Sequence, residues 1–257
     1  MHVRQLAQLA SIPALVLIFH AVQAQEEEPI TPYRPSVSSP AQLPAPGQLE
    51  FELGGLAGRS SGQRRDSLPY QFKLAFTPQW GVLLGGEALV SSRDDAGNRA
   101  RGFGDTTLVL KRAFLIDDAT AFGLEFGMKI PTARDDIGSG KADYSINGIY
   151  SRDMGKLHMD ANLNLTRLGL VDEGTGRTQT GLSASFSTPL SEHWGATAEL
   201  SGTRRAAADS TAQALLAAAY SPSKYLTIDF GVLKGLNSAS PNWSYFAGLV
   251  FPIAKLW

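Results

Sequence analysis

From Leu157 to Thr166 the chain alternates without a break. Leu157, Met159, Ala161, Leu163 and Leu165 are apolar, while His158, Asp160, Asn162, Asn164 and Thr166 are polar. Only an extended strand places two such sets on opposite faces; a helix scatters both around its circumference. The same period returns elsewhere. Phe122, Leu124, Phe126, Met128 and Ile130 interleave with Gly123, Glu125, Gly127 and Lys129. Tyr70, Phe72, Leu74 and Phe76 interleave with Gln71, Lys73, Ala75 and Thr77.

Read on this period, the chain divides into twelve strands near 48–58, 67–77, 81–92, 103–114, 119–131, 141–152, 156–168, 178–188, 193–203, 211–220, 223–235 and 242–253. They exceed the ~5–6 residues of an ordinary soluble strand and suit the ~9–11 of a tilted strand crossing a bilayer. The links alternate: long polar stretches such as Arg93–Gly102 and Thr132–Gly140 take turns with short ones such as Pro78-Gln79-Trp80 and Asp153-Met154-Gly155. Outer-membrane barrels have long external loops and tight periplasmic turns. The predicted fold is therefore all-β, a transmembrane antiparallel up-and-down barrel of about twelve strands over residues 49–257, of the bacterial outer-membrane type. The competing reading is a soluble barrel or sandwich, which would bury the apolar set and leave His158, Asp160, Asn162 and Asn164 outside. Strand number, strand length and loop alternation favour the membrane.

Ahead of the strands, residues 1–24 read as a secretory signal peptide: Arg4, an apolar run from Ile12 to Phe19, and the small residues of Val22-Gln23-Ala24 before a cleavage point. That run is shorter than the ~20 residues of a spanning helix. Residues 25–48 hold Pro29, Pro32, Pro35, Pro40, Pro44 and Pro46. Such a stretch cannot donate a regular ladder and is expected to be an extended periplasmic tail, with threading into the lumen as a plug left open. Lys and Arg total 23 against 24 Asp and Glu, a balance that argues against nucleic acid. The absence of cysteine excludes disulfides and thiolate metal sites.

Closure of such a barrel turns the polar set inward. By parity that set holds Glu50, Glu52, Lys73, Glu87, Asp105, Lys111, Glu125, Lys129, Asp143, His158, Asp160, Glu199 and Asp229, together with Ser183, Ser185 and Ser187. Asp105, Lys129 and Asp143 fall on adjacent strands near the long-loop mouth, so Lys129 is expected between two carboxylates. Such a cluster either braces the wall or selects solutes by charge. Lys111, Glu125, His158, Asp160, Asn162 and Asn164 complete the lumen and constriction candidates. A catalytic reading of His158 and Asp160 is weak, because no serine stands at a spacing that implies a nucleophile. Asp94-Asp95 and Asp135-Asp136 are acidic loop pairs, read as solvated. No metal-ligand spacing appears, and no cofactor is implied.

The last residues, Trp243 to Trp257, resemble the terminal strand of outer-membrane barrels, which the barrel-assembly machinery reads. Gly102-Phe103-Gly104-Asp105 running to Lys111, Met128-Lys129-Ile130-Pro131-Thr132, and Gly138-Ser139-Gly140-Lys141-Ala142-Asp143-Tyr144 resemble, in that order, the family of outer-membrane transporters named for meta-pathway phenol degradation. Leu163-Asn164-Leu165-Thr166 resembles its following strand. The resemblance implies a porin-like channel for aromatic or other hydrophobic compounds, whereas the polar face from His158 to Thr166 suits hydrophilic solutes. The expected function is passive transport of a small molecule, with outer-membrane lipids and the assembly machinery as partners. The alternatives are a closed structural or assembly-related barrel and, behind it, a lipid-modifying hydrolase.

Overall fold

The computed structural model describes residues 28–60 and 62–257. The predicted signal peptide lies outside them. Among the described residues the chain forms thirteen strands: β1 Gln48–Arg59, β2 Arg64–Thr77, β3 Trp80–Arg93, β4 Arg99–Gly102, β5 Thr106–Asp117, β6 Thr120–Ile130, β7 Asp143–Met154, β8 Leu157–Arg167, β9 Thr178–Pro189, β10 Trp194–Arg205, β11 Thr211–Ser223, β12 Leu226–Gly235 and β13 Trp243–Lys255. All pairings between these strands are antiparallel, and β13 pairs with β1 from Gln48↔Lys255 to Arg59↔Trp243, so the sheet closes. Closure leaves no edge, the condition a sheet must meet in hydrocarbon.

Twelve of the strands make the wall. The thirteenth, the four-residue β4, pairs only with the end of β3, from Val90↔Gly102 to Arg93↔Arg99. It makes a hairpin with β3 on the loop rim, within the stretch Arg93–Gly102 expected to be loop. Asp105 is expected within a strand from the period of two. It lies in the link just ahead of β5. Short turns such as those at 78–79, 118–119 and 155–156 gather at the end where β1 begins and β13 finishes, and the long links lie at the other.

Burial is the reverse of a soluble protein's. The largest fully enclosed side chains include Lys73, Lys111, Gln48, Glu50 and Asp229, whereas Leu182, Leu200 and Leu216 are each more than 60 % exposed. Lys, Glu and Asp are almost never fully buried in soluble cores unless paired. Here strand after strand turns them inward and its leucines and phenylalanines outward, which removes the soluble alternative. The outer face packs its own aromatics. Phe51 and Phe72 lie 4.6 Å apart, and Trp194 lies 4.9 Å from Tyr220 at the short-turn end. Arg112, outward near a turn, stacks its guanidinium on Trp80 and Phe114.

Candidate functional site

Residues 30–47 run inside the barrel. The stretch expected to hang as a periplasmic tail takes instead the course that the sequence left open. It enters at the short-turn end, where the Ile30 amide donates to the Lys224 carbonyl at 3.0 Å. It then makes a circuit of the wall. The Thr31 and Tyr33 amides donate to Glu50 and Glu52 of β1, at 3.0 and 2.8 Å. Arg34 forms a two-pronged pair with Asp229 of β12, at 2.9 and 3.0 Å. The Val37 and Ser38 amides share one oxygen of Glu199 on β10, both at 2.9 Å. Ser39 exchanges two hydrogen bonds with the Asn162 amide of β8, each 2.9 Å. The Ala41 amide reaches Ser151 of β7 at 2.8 Å. Pro46 bridges Ala75 before β1 begins.

Lysines hold the same segment through its carbonyls. Lys73 donates to Thr31, Lys111 to Pro40 and Lys255 to Pro46. Lys73 also pairs with Glu50 at 2.9 Å and Glu52 at 2.6 Å. The Tyr33 ring lies between the Lys73 and Lys111 ammonium groups, 4.4 and 4.2 Å from its centre. The Tyr33 hydroxyl donates to the Gln42 carbonyl at 2.7 Å. Cations over a neutral aromatic face attract it, the more so when desolvated.

The anticipated lumen residues sort into three levels. Near the long loops, Lys129 lies 2.9 Å from Asp143 and 3.4 Å from Asp105. Asp105 also accepts the Ala133 amide, Asp143 accepts that of Gly169, and Lys129 reaches the Ser139 hydroxyl. The cluster therefore ties two long loops to the wall. At mid-height, Lys111 pairs with Glu125 at 3.0 Å, and Asn162 meets the inserted segment. Asn164, one step nearer the loops, accepts the Thr166 hydroxyl at 2.7 Å. Towards the short turns, the His158 ring nitrogens face Asp153 at 2.6 Å and Asp160 at 3.1 Å. Ser151 donates to Asp160, not to His158, so the carboxylate stands where a triad would need the imidazole.

Asn147 of β7 was not singled out from sequence, although it shares the parity of Asp143. Its amide nitrogen donates to Glu125 at 2.9 Å and to Asn162 at 3.0 Å. Cavities lie on either side of the inserted segment. One of about 710 Å³ opens at the short-turn end beside Pro32, Arg34, Pro35 and His158. On the other side lie one of about 400 Å³ beside Val37, Ser39 and Asn147, and one of about 530 Å³ beside Arg65, Glu87, Asp105 and Lys129. Among the described residues no group of three or more His, Cys, Asp or Glu could hold a metal ion. In the loops, Asp94 is held below the usual carboxylate range by hydrogen bonds from Asn98, and Asp136 pairs with Arg134.

The family described as "Putative MetA-pathway of phenol degradation" matches residues 33–253. Among solved structures, the chain is similar to a COG4313 outer membrane channel from Pseudomonas putida F1, at 14 % identity and a TM-score of 0.65 over 83 % of this chain and 98 % of that one. It is also similar to the KdgM porin, at 9 % identity and a TM-score of 0.57 over 80 % and 99 %. The NanC porin matches at 12 % identity and a TM-score of 0.54 over 78 % and 100 %. These likenesses extend to the fold. No curated protein matches.

Proposed function

This chain belongs to the MetA-pathway phenol-degradation family, and from that premise we propose that it is an outer-membrane channel for the passive movement of small molecules, with its short-turn end in the periplasm. One observation carries the reading: a closed barrel with apolar side chains outward encloses charged and amide groups and a series of cavities. Cavities lined this way favour solutes that can hydrogen-bond, because an apolar one leaves wall groups without partners. The solute class is thus small polar molecules, and aromatic compounds only where they carry hydroxyl or carboxyl groups. The wall residues act by binding and by their fields; none has a role in bond making.

A second reading, a closed barrel without transport, is favoured by the segment that crosses the lumen and bonds to β1, β8, β10 and β12. Single-channel recording of the refolded protein in a planar bilayer separates the two. Discrete current steps are the expected result. Silence in protein that shows a heat-dependent gel shift, and silence again after Arg34→Ala, would leave the closed barrel standing.

A further inference from the structure

The cavity of about 400 Å³ on the long-loop side of the inserted segment has a lining unlike the rest of the lumen. It presents Asn147, Asn162, Asn164, Gln179, Thr203 and Gln213, groups that carry no charge and that both donate and accept. Its volume lies within the ~300–1,000 Å³ of small-molecule sites. Glu125 at its edge is neutralised by Lys111, 3.0 Å away.

The sense of one amide is fixed by a chain of bonds. The Ser39 backbone amide can only donate and its carbonyl can only accept, so the two bonds to Asn162 set which atom of that side chain is oxygen. The Asn162 oxygen then requires the Asn147 nitrogen at 3.0 Å, and Glu125 requires the same nitrogen at 2.9 Å. The Asn147 oxygen is thereby turned away from both. It is buried, at 8 % exposure for the residue, and has no hydrogen-bond partner. A buried acceptor without a donor is costly and rare. Asn147 lines a cavity walled by further amides and hydroxyls, and its nitrogen also fixes the sense of Asn162 there.

We propose that this cavity is a binding site for an uncharged, polyhydroxylated small solute, the chemistry of a single sugar ring, with solute hydroxyls pairing with the half-buried amides of Asn164, Gln179 and Gln213. The proposal rests on the channel reading and narrows its solute class. Several closely spaced hydroxyls can pair with the surrounding amides, whereas a phenol has only one and leaves the rest unpaired. A carboxylate brings a charge that the lining does not compensate. The inserted segment, through Ser39, sets the donor and acceptor pattern that the solute meets.

The test is saturation-transfer NMR on the folded protein in a zwitterionic, sugar-free detergent, with methyl glucoside and phenol as probes. Saturable binding of the glucoside is expected, weakened roughly tenfold or more by Asn147→Leu and by Gln213→Leu and unchanged by the outward-facing Leu216→Ala. Folding is checked by heat-dependent gel shift, and if Asn147→Leu fails it, Gln213→Leu carries the test. Absence of saturable glucoside binding, indifference to both substitutions, or stronger binding of phenol would overturn the proposal. Conductance is read separately. Glucoside binding without conductance upholds this site in a closed barrel, and conductance without glucoside binding removes the site while the channel stands.

Discussion

Arg34 is the one side chain of the inserted segment that closes an ion pair with the wall among the described residues, and the wall makes room for it. A Cβ on Gly54 would come within 2.6 Å of its guanidinium, and a Cβ on Gly248 within 2.4 Å. Asp229 opposite it is fully buried. Removing one partner of such a pair leaves a buried charge unpaired, at a cost of about 3–5 kcal/mol. Arg34→Ala is therefore expected to shift the docked segment towards release by about a hundredfold or more, at roughly 1.4 kcal/mol per tenfold. The chain has no cysteine, so a single Ser36→Cys reporter reads that shift as faster maleimide labelling. Unchanged labelling would mean that backbone bonds alone hold the segment. Gly248→Val is expected to speed labelling as well, by steric conflict. In the Arg34→Ala background its effect should vanish, since contacting residues are not additive. The prolines explain why sequence left this segment undecided. Amides at 30, 31, 33, 37, 38, 39 and 41 find acceptors, while residues 29, 32, 35, 40, 44 and 46 are prolines with no amide to satisfy. The composition that suits a solvated tail suits burial in a polar lumen equally, because each proline removes a donor that would need a partner.

At the level of the strand, the wall was legible because its rule is local: side chains alternate every second residue. The predicted strands fall within a few residues of those observed, and the inward sets of β1, β5, β6 and β8 follow from parity. The contacts of the inserted segment obey no local rule. Thr31 meets a residue 19 positions away, Val37 one 162 away and Arg34 one 195 away. No periodicity encodes such partners. Rim elements escaped for a related reason, since β4 is four residues long and too short to show a period. The outward face yields its own prediction. Leu216 sits midway along β11 and faces out. Leu216→Arg should cost about 2–4 kcal/mol if that height is the bilayer midplane, measured by urea titration of folding into vesicles. A cost near zero would place the lipid boundary elsewhere on the strand.

For the whole molecule, the inserted segment covers the acidic groups of the wall. The acidic wall groups Glu50, Glu52, Glu199 and Asp229 are all engaged by segment amides or by Arg34. Deleting residues 28–46 should therefore raise unitary conductance and expose these carboxylates to the pore. Reversal potentials across a salt gradient should then report cation preference, as rings of acidic side chains produce. Anion preference in the truncated barrel would contradict the assignment of these groups to the lumen. The way the segment is held has one more consequence. Apart from Arg34 and the Tyr33 ring, the polar grip of the wall is on main-chain amides and carbonyls, the carbonyl common to every amino acid and the amide to every one but proline. The barrel thus recognises a strip of polypeptide much as a chaperone groove does, by its backbone and not by its spelling. Most positions of the strip are free to drift over evolutionary time while the fit persists, and a synthetic peptide of residues 30–46, supplied from the short-turn side, has what it needs to seat itself again in a barrel that has lost its own.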